Sequence, residues 1–170
     1  MNNIILIGFM GCGKTSVGKR LSEICNMRFM DTDEYIVTKE QCSISEIFEK
    51  KGEKYFRNLE TESLMELLEK NLSNTVISVG GGLPVKEENR ELLKRLGMVV
   101  YLRANAETIY KRLRHDTTRP LLQTENPRGR IADLLNDREQ LYEAAANFMV
   151  DVDDKNFDVI IQNIQDERIS

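Results

Sequence analysis

Ile4-Ile5-Leu6-Ile7-Gly8-Phe9-Met10-Gly11-Cys12-Gly13-Lys14-Thr15 joins an apolar run to a glycine-rich turn and the turn to a helix start. The four apolar residues have the length and β-branched content of a strand buried on both faces of a parallel sheet. From Gly8 to Thr15 the residues fit G-x-x-x-x-G-K-[ST] at every fixed position. With Gly near 7% of residues, such a match arises by accident in about one chain of this length per hundred or fewer. The chemistry needs these residue types. Glycines let backbone N–H groups turn inward around phosphate oxygens, and the helix N-terminus adds a favourable dipole. Lys14 supplies a point charge to the β and γ phosphates, and Thr15 offers a hydroxyl to Mg²⁺. Gly11, Cys12, Gly13, Lys14, Thr15 and Ser16 are therefore expected around a nucleotide's phosphates. Cys12 has two readings. One is that a small residue was needed; the other is an oxidation-sensitive thiol at a helix N-terminus.

Outward from this loop, helical spacing over Lys14 to Cys25 puts Val17, Leu21, Ile24 and Cys25 on one face. Phe29-Met30 is a second short apolar run, ending at Asp31. Residues 34–70 read as mostly helical, with Ser43 and Glu46 spaced as a capping box and Gly52 as punctuation. Thr75–Val79 and Met98–Leu102 read as buried strands, and residues 86–96 and 105–114 as helices. Residues 116–129, with Pro120, Pro127 and Gly129, read as a mobile loop. A helix over Ile131 to Asn147, a strand at Phe148–Val150 and a last helix over Phe157–Ile164 complete the chain. Strands alternating with helices predict an α/β fold: three layers, α/β/α, around a central, mostly parallel five-stranded sheet. No linker divides residues 1–170, so one domain is expected, as the length of 170 residues also suggests.

Composition narrows the function. The chain has 24 basic and 28 acidic residues and a net charge of -4, against a broad nucleic-acid surface. The longest apolar runs are too short to span a bilayer, and the start has no basic leader. Three scattered cysteines make neither a disulfide framework nor a Cys-x-x-Cys metal site, which fits a reducing cytoplasm. A single histidine, His115, excludes a His-rich zinc centre and disfavours a histidine base.

No other strand ends in the apolar run plus Asp that holds Mg²⁺ in larger P-loop ATPases. The best carboxylates are Asp31 and Asp33, after the second apolar run. Strand C-terminal ends line the ligand crevice of parallel α/β sheets, so both are expected to face the loop. Asp-Thr-Asp is also an ordinary helix start, and both readings stand at this point.

Several ordered elements together resemble the shikimate kinases. These are GFMGCGKTSVGKRL at 8–21, DTD at 31–33, SISEIFEKKGEKYFRNLE at 43–60, SVGGGL at 78–83, RPLL at 119–122 and RxxLY at 138–142. The resemblance covers nearly the whole chain. It implies the P-loop kinase type of α/β fold, with a mobile lid at about 114–129 and a substrate-binding helical region at about 33–62. It implies transfer of the ATP γ-phosphate to the 3-hydroxyl of shikimate, with Mg²⁺, in aromatic amino-acid biosynthesis, by a cytoplasmic monomer with no nucleic-acid or membrane partner.

The resemblance also nominates residues. Arg57 and Arg138 would grip the shikimate carboxylate, for which guanidinium groups are suited by their paired donors. Glu60 lies three residues after Arg57 and would hold its rotamer. Gly80, Gly81 and Gly82 allow close backbone approach. Asp33 resembles the residue that bonds substrate hydroxyls, and Asp31 joins Thr15 in supporting Mg²⁺. Arg119 matches the lid arginine and Arg112 the arginine that packs on adenine. Residues 103–138 hold eight Arg or Lys against five Asp or Glu, which suits a lid over triphosphate. Residues 152–157 depart from the family pattern, leaving Phe157 either against adenine or in the core. The other functional classes considered are a gluconate or nucleotide kinase of the same fold and a nucleotide-binding protein that has lost catalysis.

Overall fold

The computed structural model describes residues 2–117 and 122–169. Its elements run β1 (Ile4–Ile7), α1 (Lys14–Ile24), β2 (Arg28–Asp31), α2 (Thr32–Glu40), α3 (Ile44–Glu69), β3 (Thr75–Ser78), a 3₁₀ turn (Leu83–Val85), α4 (Glu87–Leu96), β4 (Met98–Arg103), α5 (Ala106–Leu113), α6 (Pro127–Ala145), β5 (Phe148–Asp151) and α7 (Phe157–Ile169). The strands form one sheet in the order β2-β3-β1-β4-β5. Every pairing is parallel, so among the described residues the sheet is wholly rather than mostly parallel. Every pair of strands consecutive in the chain is joined through at least one helix, the long crossover that parallel pairing needs.

The apolar strand runs become the core. Ile4 to Ile7 are at most 1% exposed, and Val76, Ile77, Val99, Val100 and Leu102 are fully covered. Each such side chain contributes about 1.5–3 kcal/mol by leaving water. Helices α1 and α7 pack together against the sheet, and α3, α4 and α6 form a second set. Asn3, just before β1, is the polar exception. Its side chain bonds Leu72 O, Leu96 O and Thr75 N, tying together three chain segments at the N-terminal end of the sheet.

Local expectations met several corrections. Ile24 is 49% exposed, outside the apolar face expected of it. Gly18 completes that face because the Phe29 ring lies on it; a Cβ there would come within 2.6 Å of Phe29 Cε2. Helix α6 starts at Pro127, four residues earlier than expected. Asn126 caps it by accepting from Gly129 N, and Pro suits a first helical position. It ends at Ala145 because Asn147 pairs instead with the backbone of Val99, through both its N–H and its side-chain oxygen. Helix α7 runs on to Ile169. The Ser43–Glu46 capping box forms. Gly52 takes φ 81°, ψ 169°, a break that separates two helical stretches within α3.

Strands β1, β2 and β3 lie side by side, and their C-terminal ends carry the loop at 8–13, Asp31 and the glycines at 80–82. A crevice at the C-terminal edge follows from the parallel topology.

Candidate active site

The loop after β1 has the backbone its glycines allow. Gly8, Gly11 and Gly13 have φ of 148°, 77° and 102°, a region other residues enter at a cost. Gly13 is the N-cap of α1. No side chain caps this helix and its first turn has no acidic residue, so that end stays positively polarised. Lys14 is 9% exposed, and its ammonium donates to Gly8 O at 2.8 Å and Phe9 O at 3.1 Å. Thr15 and Ser16 are exposed at the helix start. Cys12 is 1% exposed, and its Sγ lies 3.8 Å from Lys14 Nζ. This burial favours the plain reading of Cys12 as a small packing residue.

Asp31 carries out both roles left open for it. One carboxylate oxygen caps α2, accepting from Asp33 N at 2.9 Å and Glu34 N at 3.3 Å. The other accepts from Thr15 Oγ1 at 3.4 Å. A hydroxyl and a carboxylate side by side at a phosphate loop suit a hard cation such as Mg²⁺, which takes one or two protein oxygens and completes its shell with phosphates and water.

The three glycines each meet a different part of the site. A Cβ on Gly80 would lie 2.9 Å from Asp33 Oδ1 and 3.3 Å from Glu60 Oε1. On Gly81 it would meet Met10 N and Gly8 O of the phosphate loop at 3.3 and 3.4 Å. On Gly82 it would lie 2.5 Å from Arg57 Nη1. Thr32, buried between the two aspartates, accepts from Gly80 N at 3.3 Å and fixes the turn to β2.

Arg57 and Arg138 both line a cavity of about 450 Å³ with Glu60 and Gly82. Arg57 donates to Glu60 Oε2 at 2.8 Å, as expected of the pair, and reaches the more exposed Glu53 at 3.4 Å. Burial pushes the Glu60 carboxyl up to about 7; Arg57 opposes that shift, Asp33 adds to it, and Arg138 also opposes it. The Arg138 guanidinium lies 5.7 Å from the centroid of the Phe9 ring. Asp33, Gly80 and Gly81 do not line this cavity; they meet it through Glu60 and Gly82. Asn89 and Lys86 also line it and were not singled out from sequence. Asn89 donates to Leu83 O and accepts from Thr61 Oγ1, so it pins the turn after the glycines to α3. Its position within an otherwise polar helix start carried no local signal.

At the outer side of the phosphate loop, Arg112 donates to Gly11 O at 3.2 Å and Cys12 O at 2.9 Å. Phe157 is 44% exposed rather than in the core, with its ring edge 3.8 Å from a Cβ built on Gly13. Arg119 lies outside the described residues, as do Pro120 and Leu121 of the same segment.

A phosphate loop thus adjoins a cavity with two guanidinium groups, a geometry for moving a phosphoryl group onto an anionic acceptor. Comparison with known proteins agrees. The profile of the shikimate kinase family matches residues 10–168. A shikimate kinase of Thermodesulfovibrio yellowstonii is 43% identical over all of this chain and 98% of its own length. The structure of shikimate kinase from Acinetobacter baumannii in complex with shikimate superposes with a TM-score of 0.91 at 39% identity, covering 99% of this chain and 93% of the other. A gluconokinase from Sinorhizobium meliloti shares the fold alone, with a TM-score of 0.55 at 18% identity over 95% of this chain and 87% of its own. With a family profile over residues 10–168 and a relative 43% identical over the whole chain, the chain belongs to the shikimate kinase family.

Proposed function

We infer that this chain transfers the γ-phosphate of ATP to the 3-hydroxyl of shikimate, giving shikimate 3-phosphate and ADP on the route to chorismate and the aromatic amino acids. One observation carries the assignment. Three successive glycines abut, in turn, the Asp33 carboxylate, the phosphate loop and the Arg57 guanidinium. One turn of backbone therefore spaces an acceptor site from a donor site.

Phosphoryl transfer depends on positioning and charge stabilisation more than on covalent help. Arg57 and Arg138 bind the shikimate carboxylate by charge-assisted hydrogen bonds. Asp33 accepts a hydrogen bond from the reacting hydroxyl and aims its oxygen at the γ-phosphorus. The N–H groups of Gly11 to Ser16 hold the phosphates. Lys14 moves from the loop carbonyls to the transferring group, where added negative charge strengthens its binding in the transition state. Thr15 and Asp31 would hold Mg²⁺, which when bound neutralises phosphate charge. Arg112 and Phe157 flank the outer loop and contact adenine. Arg119 adds a further positive charge from a lid at about 114–129, whose closure excludes water. The enzyme works as a cytoplasmic monomer of one domain, with no nucleic-acid partner. Among the described residues no helix is long and apolar enough to cross a membrane.

The test is ADP release from MgATP with shikimate, gluconate or nucleoside monophosphates, with the product's phosphorylated position found by phosphorus NMR. Turnover that requires shikimate and marks its 3-hydroxyl is expected. Turnover with gluconate or a nucleotide instead would overturn the assignment.

A further inference from the structure

Tyr142 has no part in the chemistry above, yet it touches both halves of the site. It is fully buried on α6, four residues after Arg138, so the two side chains share a helix face. Its hydroxyl donates to Gly81 O at 2.7 Å. Burial pushes the phenol up to about 12, so the proton stays in that bond at neutral pH. The oxygen is left to accept, and Arg138, one helical turn back, is near enough for its charge to oppose that rise. Gly81 in turn sits on Gly8 and Met10 of the phosphate loop. Tyr142 thus ties the helix face that carries the carboxylate clamp to the glycine turn beside the loop that holds ATP. The Tyr101 ring, 5.1 Å away between centroids, fixes the Tyr142 ring in place.

We propose that Tyr142 is a positioning residue for the acceptor: its hydroxyl aims the Arg138 guanidinium and registers it against Gly81. The proposal rests on the assignment of Arg138 to the shikimate carboxylate. A neutral hydroxyl suits this task. It orients a guanidinium without neutralising it, so the full positive charge remains for the substrate. A carboxylate in the same place would compete with the ligand.

Tyr142→Phe keeps the buried ring and removes only the hydroxyl. In the full-length enzyme the KM for shikimate should rise about tenfold, the scale of one lost hydrogen bond to a charged group. The KM for ATP should hardly change, and the melting temperature should fall by only a few degrees, because Gly81 O loses its donor. In an Arg138→Ala background the same substitution should add nothing further, since contacts in one chain are not additive. An unchanged shikimate KM, an ATP KM that rises in step, or the same tenfold effect without Arg138 would each overturn the proposal. A measurement on the unmutated chain decides the matter even if the variant folds poorly. With isotope-labelled tyrosine, the Tyr142 Cζ resonance should shift on adding shikimate; indifference to shikimate would overturn the proposal. An unmutated chain that fails to phosphorylate shikimate removes the functional assignment and this inference together. Intact turnover with a failed variant test removes the inference alone.

Discussion

Arg57 donates to Glu60 Oε2 at 2.8 Å, and Glu60 is only 1% exposed. The pair aims the guanidinium across Gly82 into the cavity. Holding Glu60 ionised there is costly, because burial outweighs the help of Arg57 and pushes its carboxyl from the ordinary 4.5 up to about 7. The folded chain therefore retains a proton that the unfolded chain releases between pH 4.5 and about 7. Across that window the folded state binds more protons, so stability falls as pH rises. Glu60→Gln removes the titration. Between pH 5 and pH 8 the variant should lose less melting temperature than the unmutated chain. Its shikimate KM should rise, because a neutral amide holds Arg57 less firmly. Parallel melting curves would refute titration of Glu60 in this range.

Gly82→Ala isolates the Arg57 contact. Gly82 has φ -88° and ψ -13°, which alanine adopts without strain. The new methyl would collide with the guanidinium, 2.5 Å from Nη1, and that mobile end of the side chain can move. Stability should hardly change, while shikimate KM rises by roughly tenfold or more, the scale of a lost charge-assisted contact. The KM for ATP should be spared. Steady-state kinetics with each substrate varied separately checks this, and a variant that loses ATP affinity instead would place the contact wrongly.

Asn3→Ala probes stability away from the chemistry. Its amide satisfies one buried and one part-buried carbonyl and one buried N–H at the N-terminal end of the sheet. Leaving such groups unpaired costs about 2–4 kcal/mol, or roughly 5–15 °C in melting temperature for a domain of this size. The active site lies at the other end of the strands. Turnover at low temperature should stay near that of the unmutated chain, as thermal denaturation alongside an activity assay would reveal.

The parts legible in the sequence were those governed by short-range rules. The phosphate loop needs glycines at fixed spacing, and Ser43 with Glu46 closes a capping box within one helical turn. Asp31 was legible in both of its roles, because a helix cap is local and a strand's C-terminal end faces the crevice. Most of the nominated side chains converge on one crevice. What was missed depended on distant partners. Ile24 follows the spacing of its helix but loses its place to Gly18, because Phe29 closes in on that glycine. Tyr142 bonds a carbonyl 61 positions away. Asn89 reaches Thr61 across two helices. No local pattern encodes such meetings; they follow from the order in which the strands pair.

Phe157 closes the same lesson with a test. Its place at the start of α7 was compatible with the core, and the structure leaves it 44% exposed beside Gly13. The Arg112 guanidinium flanks the same glycine, with Nη1 3.4 Å from where its Cβ would stand. A ring and a planar cation at the outer rim of a phosphate loop suit a flat, electron-rich base, because base–aromatic stacking is worth about 1–3 kcal/mol. A half-exposed ring adds little to the core, so Phe157→Ala should leave the melting temperature nearly unchanged. It should raise the KM for ATP roughly five- to fiftyfold, the low-to-middle part of that stacking range, with shikimate KM unaffected. The discriminating comparison is ATP against inorganic triphosphate as competitor: the variant should lose affinity for the nucleotide and keep it for the phosphates. Equal losses for both ligands would mean that Phe157 supports the loop instead of the base.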